Sequence, residues 1–253
     1  IARREFPAGA AIGIGLSVVL SYLTQFLDGS IQADTLYTVC SVAAVYSLSR
    51  WLEDSSRANL ILLGTMFLAA LMAKNNAMYL GISFPIVVLL SRSLVKVMRS
   101  LWLWLALLPG IVAFGIWQYY TFPFVRNNMS RADDMHFSIS FMSYFDLQIE
   151  VLWIGFLPLI VWGIISRILI PLFRDKRLSP RSAAHIALLL GPWLYHAMLP
   201  HDVNHRYLLP SAVPLAIFIA YAIKDVFSLR PLRRLHPNIA TALTAAILII
   251  PEL

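Results

Sequence analysis

Residues 59–91 decide the fold, and they read NLILLGTMFLAALMAKNNAMYLGISFPIVVLLS. This stretch is mostly apolar, and its one charged residue lies in the polar triplet Lys74-Asn75-Asn76 near its middle. A membrane-spanning helix needs about 17–25 apolar residues, because it crosses about 30 Å at 1.5 Å per residue. The stretch is too long for one such helix. The polar triplet therefore predicts a turn between two shorter membrane segments.

The rest of the chain repeats this pattern of apolar runs and short polar connections. Further segments are predicted at about residues 8–27, 34–49, 101–118, 151–166, 183–199, 207–223 and 239–250. With the two halves of residues 59–91 there are about nine. We therefore expect an all-α, polytopic membrane helix bundle that forms one domain over residues 1–253. The one long connection, about residues 119–150, mixes aromatic and charged residues and is predicted to be an outer interfacial loop.

The composition supports a membrane protein. Hydrophobic residues make up 59% of the 253 residues and charged residues only 13%, whereas a soluble domain has about 25% charged residues. The net charge of +7 would suggest a nucleic-acid partner in a soluble chain. Here the basic residues cluster between apolar runs, as in membrane loops, so we expect no nucleic-acid partner.

The basic residues also predict the orientation in the membrane. Of the 20 Lys and Arg residues, one set of alternate loops holds all but Lys74, Arg126, Arg131 and Arg206. Loops rich in Lys and Arg face the cytoplasm. The loops that contain Lys74 and Arg206 are therefore predicted to lie on the outer side. The same charge pattern supports the turn at Lys74, because merging the two segments around it would place every later loop on the opposite side.

The sequence also argues against several kinds of chemistry. The single cysteine, Cys40, excludes an internal disulfide and a thiolate metal cluster. No Gly-rich phosphate loop and no His/Cys metal spacing is present in the sequence. No charged residue falls in the middle of a predicted segment, which argues against an ion or proton pathway. The polar residues gather instead at the predicted outer ends.

Three polar groups at the outer ends are the candidate functional residues. Asp34, which follows Asp28 in the first outer turn, is either an acid favoured at a helix N-terminus or a ligand for a divalent cation. Lys74 either reaches lipid headgroups or holds a lipid phosphate. Residues 201–207, HDVNHRY, form either a capped connector or a phosphate site, in which Arg206 supplies a planar fork of donors and Tyr207 a hydroxyl.

These motifs, in this order and on one predicted side, resemble the C-type membrane glycosyltransferases (GT-C). The resemblance is to the protein mannosyltransferase and aminoarabinose transferase branch, whose typical sequence motifs are "GLALGLAxLTK" and "RYLLPLxPxLAL". Residues 64–74 read GTMFLAALMAK and residues 206–216 read RYLLPSAVPLA. An Asp at the start of the second segment completes the pattern, and the resemblance extends over about residues 2–223.

The resemblance implies transfer of a sugar from a polyprenyl-phosphate carrier, with inversion, on the extracytoplasmic face. The acceptor would be a lipid, a glycan or a protein in the bacterial cell envelope. By this resemblance Asp34 is the candidate catalytic residue and the ligand for Mg²⁺ or Mn²⁺, with Asp28 as a second candidate. The candidates for holding the donor's lipid phosphate are Lys74, His205, Arg206 and Tyr207.

The chain departs from the family at one point. The family's catalytic acid lies in the first outer loop after the first helix, and this chain is interpreted as starting beyond that loop. We therefore expect an N-terminally incomplete piece of a bacterial inner-membrane protein, with little or no transfer activity by itself. Two alternatives stay open: a polyprenyl-lipid binding or translocating protein without sugar chemistry, and a structural membrane subunit.

Overall fold

The computed structural model describes residues 31–129, 142–143, 153–198 and 205–227. Helices make up almost all of these residues, and no strand occurs among them. The expected all-α class is therefore confirmed over the described part of the chain. The predicted segments at 8–27 and 239–250, and Asp28, lie outside the described residues.

Nine α-helices follow one another along these ranges. They are α1 (Ile31–Asp54), α2 (Arg57–Ala73), α3 (Leu80–Leu90), α4 (Leu94–Arg99), α5 (Leu101–Met129), α6 (Trp153–Ile164), α7 (Ile170–Asp175), α8 (Pro180–Ala197) and α9 (Leu209–Phe227). Two 3-10 helices, Asn75–Tyr79 and His205–Leu208, precede α3 and α9, and a π-helical turn, Ile165–Leu169, joins α6 to α7.

The predicted turn at the polar triplet is confirmed. Helix α2 ends at Ala73, and Lys74 has an extended backbone (φ −162°, ψ 139°) before the 3-10 helix begins. The apolar stretch therefore folds as two short helices, as its length requires.

Two predicted boundaries were wrong. Helix α5 continues to Met129, so residues 119–129 of the predicted outer loop are helical. Tyr119 and Tyr120 are exposed aromatic residues on this helix, and such residues are typical of the membrane–water interface. The segment predicted to end at residue 166 continues helically to Asp175, because Arg167 forms an ion pair with Asp225 of α9 instead of entering a loop.

Two helices among the described residues are long and apolar enough to cross a bilayer. They are Leu101–Thr121 and Leu157–Asp175, whereas Arg57–Ala73 and Asn75–Leu90 are apolar but shorter. The predicted number of nine membrane segments is therefore not confirmed. The apolar stretch Leu101–Thr121 of α5 is mostly exposed, with Trp102 near its start and Tyr119 and Tyr120 near its end, as expected for a helix that faces lipid between two interfaces.

Successive long helices run in opposite directions, which gives the bundle two distinct ends. At one, here called the basic end, Lys96 donates hydrogen bonds to the carbonyls of Leu52 (2.8 Å) and Trp51 (3.3 Å) at the end of α1. Arg181 at the start of α8 pairs there with Glu53 (3.4 Å). The other end carries the turn at Lys74 and is called the Lys74 end.

Helix α8 is tied to its neighbours by buried hydrogen bonds. The Tyr46 hydroxyl of α1 lies 2.6 Å from Nδ1 of His185. The Ser83 hydroxyl of α3 donates to the Ala187 carbonyl at 2.9 Å, and the Ser211 hydroxyl of α9 donates to the Leu188 carbonyl at 3.0 Å. Such bonds help to hold helices together in lipid, where the hydrophobic effect between helices is weak.

Candidate functional site

Lys74 lies where three separate parts of the chain meet. It is half-buried, and its Nζ is 5.7 Å from the ring centroid of Tyr37 and 5.7 Å from that of Tyr207. Both distances are within the range of a cation–π interaction. The first turns of α1, the end of α2 and the 3-10 helix before α9 therefore converge on one ammonium group.

Tyr207 is supported on another side by His196, in the last turn of α8. The two rings are stacked, with centroids 4.7 Å apart and planes inclined by 12°. His196 is only 1% exposed, and Tyr195 meets its ring edge-on at 5.0 Å. We call Tyr37, Lys74, His196 and Tyr207 the lysine–aromatic cluster.

The structure brings together two of the residues that the sequence singled out, Lys74 and Tyr207. Asp34 lies in the first turn of α1, three residues before Tyr37, so its backbone is at the same end of the bundle. His205 and Arg206 lie in the 3-10 helix immediately before Tyr207. The side chains of these three residues are outside the described part of the structure.

Sequence reasoning missed Tyr37 and His196 as members of the cluster. Tyr37 follows Asp34 by about one helical turn, and it is fully buried. His196 is a polar residue near the outer end of a predicted apolar segment. Both residues could have been found by searching the predicted outer end of each segment for aromatic and histidine side chains. Which of these side chains contact one another depends on tertiary packing.

Buried polar atoms accumulate near the cluster. Among the described residues, Thr38 Oγ1, Ser41 Oγ and Asn76 Nδ2 have no hydrogen-bond partner. Thr38 and Ser41 are on α1 within about one turn of Tyr37, and Asn76 is two residues from Lys74. A buried polar group without a partner is costly, and it commonly marks a place where water or a ligand completes the bonding. The surroundings of Lys74 are thus suited to a polar ligand.

A metal centre is not evident in the described part of the structure, where no group of three or more His, Cys, Asp or Glu residues could hold a metal ion. The predicted Mg²⁺ or Mn²⁺ ligand, Asp34, has no described side chain. The divalent cation therefore stays a prediction.

Chemically, the cluster places a positive charge at the end of an apolar bundle, next to two phenol rings and an amide. An ammonium group forms charge-assisted hydrogen bonds with phosphate oxygens, and these are about twice as strong as neutral ones. The aromatic rings keep the ammonium in a defined position without neutralising its charge. The arrangement is suited to an anionic headgroup attached to an apolar tail.

Residues 1–120 match the sequence model of the dolichyl-phosphate-mannose-protein mannosyltransferase family. The matched part includes Asp34, Tyr37 and Lys74, but not His196 or Tyr207. The resemblance drawn from the motifs is thereby confirmed over this part of the chain. No curated protein and no solved structure gives a significant match to the chain.

The family match over residues 1–120 and the two long apolar helices support, in general terms, a membrane protein of the glycosyltransferase class. In general terms, such a protein uses a sugar donor carried on a polyprenyl phosphate, with a separate acceptor.

Proposed function

We propose that the Lys74 end binds the phosphate of a polyprenyl-phosphate-linked sugar. In this proposal the chain forms part of an inverting glycosyltransferase on the extracytoplasmic face of the bacterial inner membrane. The observation that carries the proposal is the Lys74 ammonium held 5.7 Å from the rings of both Tyr37 and Tyr207. Its acceptor is a lipid, a glycan or a protein of the cell envelope.

The position of the cluster along the bundle supports this ligand. The phosphate of a membrane-bound polyprenyl carrier lies at the bilayer surface, while its tail lies among the lipid chains. Lys74 is at the end of the apolar helix α2, and α5 packs on α2 and exposes apolar side chains to the outside. A carrier lying along the bundle would thus place its phosphate at the depth of Lys74.

Each candidate residue then has a role. Lys74, with Arg206 and His205 beside Tyr207, holds the phosphate and stabilises the negative charge that it gains as the leaving group. The acceptor hydroxyl attacks the anomeric carbon of the sugar, the bond from that carbon to the phosphate oxygen breaks, and a carboxylate takes the hydroxyl proton. Asp34 is the candidate carboxylate in this chain, with Asp28 as the second. A divalent cation held by Asp34 would add positive charge at the leaving phosphate.

The proposal is tested by measuring binding of undecaprenyl phosphate to the purified protein in detergent, for example by microscale thermophoresis. Undecaprenol, which lacks the phosphate, serves as the reference ligand. Lys74→Met should weaken binding of the phosphate by about 10- to 150-fold, because a hydrogen bond to a charged group contributes about 1.5–3 kcal/mol. It should leave undecaprenol binding unchanged.

Lys96→Met is the matched control, since Lys96 is a part-buried lysine over an aromatic ring (5.2 Å from the Trp51 centroid) at the basic end. It should not change binding of the phosphate. Equal affinity of wild type and Lys74→Met for undecaprenyl phosphate would refute the proposed phosphate site. Binding at Lys74 without sugar transfer would favour the alternative of a lipid-binding or translocating protein.

A further inference from the structure

We infer that His196 is a positioning residue, which holds the Tyr207 ring against the Lys74 ammonium by stacking on it. This inference rests on the proposed function of Lys74 in binding the donor phosphate. His196 would not touch the donor itself but would act through Tyr207.

The geometry of the stack supports this role. The His196 and Tyr207 rings are nearly parallel, with centroids 4.7 Å apart, which is within the distance range of attractive aromatic stacking. His196 is almost fully buried and is also contacted edge-on by Tyr195. Its own ring is therefore restrained by packing, and it offers Tyr207 a fixed surface.

Tyr207 needs such a support because of the element that carries it. It lies in the 3-10 helix His205–Leu208, which is one turn long and makes few backbone hydrogen bonds of its own. The backbone after it is anchored separately, by the Ser211 hydroxyl donating to the Leu188 carbonyl of α8. That bond fixes the start of α9, and the Tyr207 ring that precedes it contacts both His196 and Lys74.

His196 supports Tyr207 through the flat face of its imidazole, so another planar ring at this position should give the same support. His196→Phe keeps a ring for Tyr207 to stack on, whereas His196→Leu fills a similar volume without one. We expect His196→Leu to weaken binding of undecaprenyl phosphate by about 3- to 10-fold, the factor that corresponds to an aromatic pair. We expect His196→Phe to stay within about 2-fold of wild type by the same reasoning. Undecaprenol binding should change in neither variant.

A double-mutant cycle separates positioning from general damage to the fold. In a Tyr207→Leu background, the ring that His196 supports is gone, so His196→Leu should have no further effect on binding of the phosphate. In a sugar-transfer assay, His196→Leu should raise the KM for the donor and also lower kcat, and His196→Phe should restore both, because the Lys74 ammonium that Tyr207 contacts both binds the phosphate and stabilises the charge that the phosphate gains as it leaves.

Three results would overturn the inference: equal losses for His196→Phe and His196→Leu, an undiminished loss in the Tyr207→Leu background, or wild-type affinity of His196→Leu. If Lys74→Met does not weaken binding, the proposed function itself fails. If Lys74→Met weakens binding and His196→Leu does not, only the role of His196 fails. Thermal unfolding of each variant shows whether it is folded. His196→Phe and His196→Leu both fill the buried volume of the imidazole, so they can be compared even if a smaller side chain at this position prevents folding.

Discussion

Gly64, the first residue of the motif that ends at Lys74, is expected to serve packing and not binding. It lies on α2 against α5, where an added Cβ would be 2.5 Å from the carbonyl oxygen of Ala106 and 3.2 Å from its carbonyl carbon. These are backbone atoms, which cannot rotate away as a side chain would. Gly64→Ala therefore requires α2 and α5 to move apart. Gly115, on α5 itself, would place its Cβ with nothing within 4 Å.

The expected magnitudes follow from two opposing effects. Overpacking of a close contact costs about 1–3 kcal/mol, and replacing Gly by Ala inside a helix returns about 0.5–1 kcal/mol. Gly64→Ala should therefore lower the free energy of unfolding by about 0.5–2 kcal/mol. Gly115→Ala has only the second effect and should raise it by about 0.5–1 kcal/mol.

Thermal unfolding in detergent, followed by fluorescence of the seven tryptophans, measures both variants under the same conditions. The unfolding midpoint should fall by about 1–8 °C for Gly64→Ala and rise by a smaller amount for Gly115→Ala. Binding of undecaprenyl phosphate by folded Gly64→Ala should change less than in Lys74→Met. A midpoint at or above the wild-type value for Gly64→Ala would refute the close contact between α2 and α5.

Two other contacts give further predictions. Tyr46→Phe removes the buried hydrogen bond to His185 (2.6 Å). It should destabilise the protein by about 0.6 kcal/mol, the average for such bonds between membrane helices. A fall in the unfolding midpoint of more than about 6 °C would contradict this. Arg167→Met removes the partner of Asp225 and the cation above the Tyr221 ring (4.6 Å). It should lower the unfolding midpoint without changing affinity for undecaprenyl phosphate, because this pair lies near the basic end, and a selective loss of phosphate binding would disprove that separation.

Much of the helical architecture was predictable because apolar length and polar interruption act locally. The turn at Lys74 follows from an apolar run too long for one helix and a polar triplet within it. The boundaries at residues 118 and 166 were not predictable in the same way. Arg167 resembles a loop residue in sequence, and its partner Asp225 is far away in the chain. Only the packing of α6 and α7 against α9 provides a neighbour that lets the helix continue past that charge.

The candidate site shows the same division. The sequence by itself determined that the chain is an apolar, all-α membrane protein, and it singled out Lys74 and Tyr207 on one predicted side. These properties depend on hydropathy and charge read along the chain. Only the tertiary structure decided that Tyr37 and His196 complete the cluster around them. Stacking and cation–π contacts depend on distances of about 4–6 Å between rings and charges, and residues from helices far apart in sequence reach these distances only when the bundle is packed.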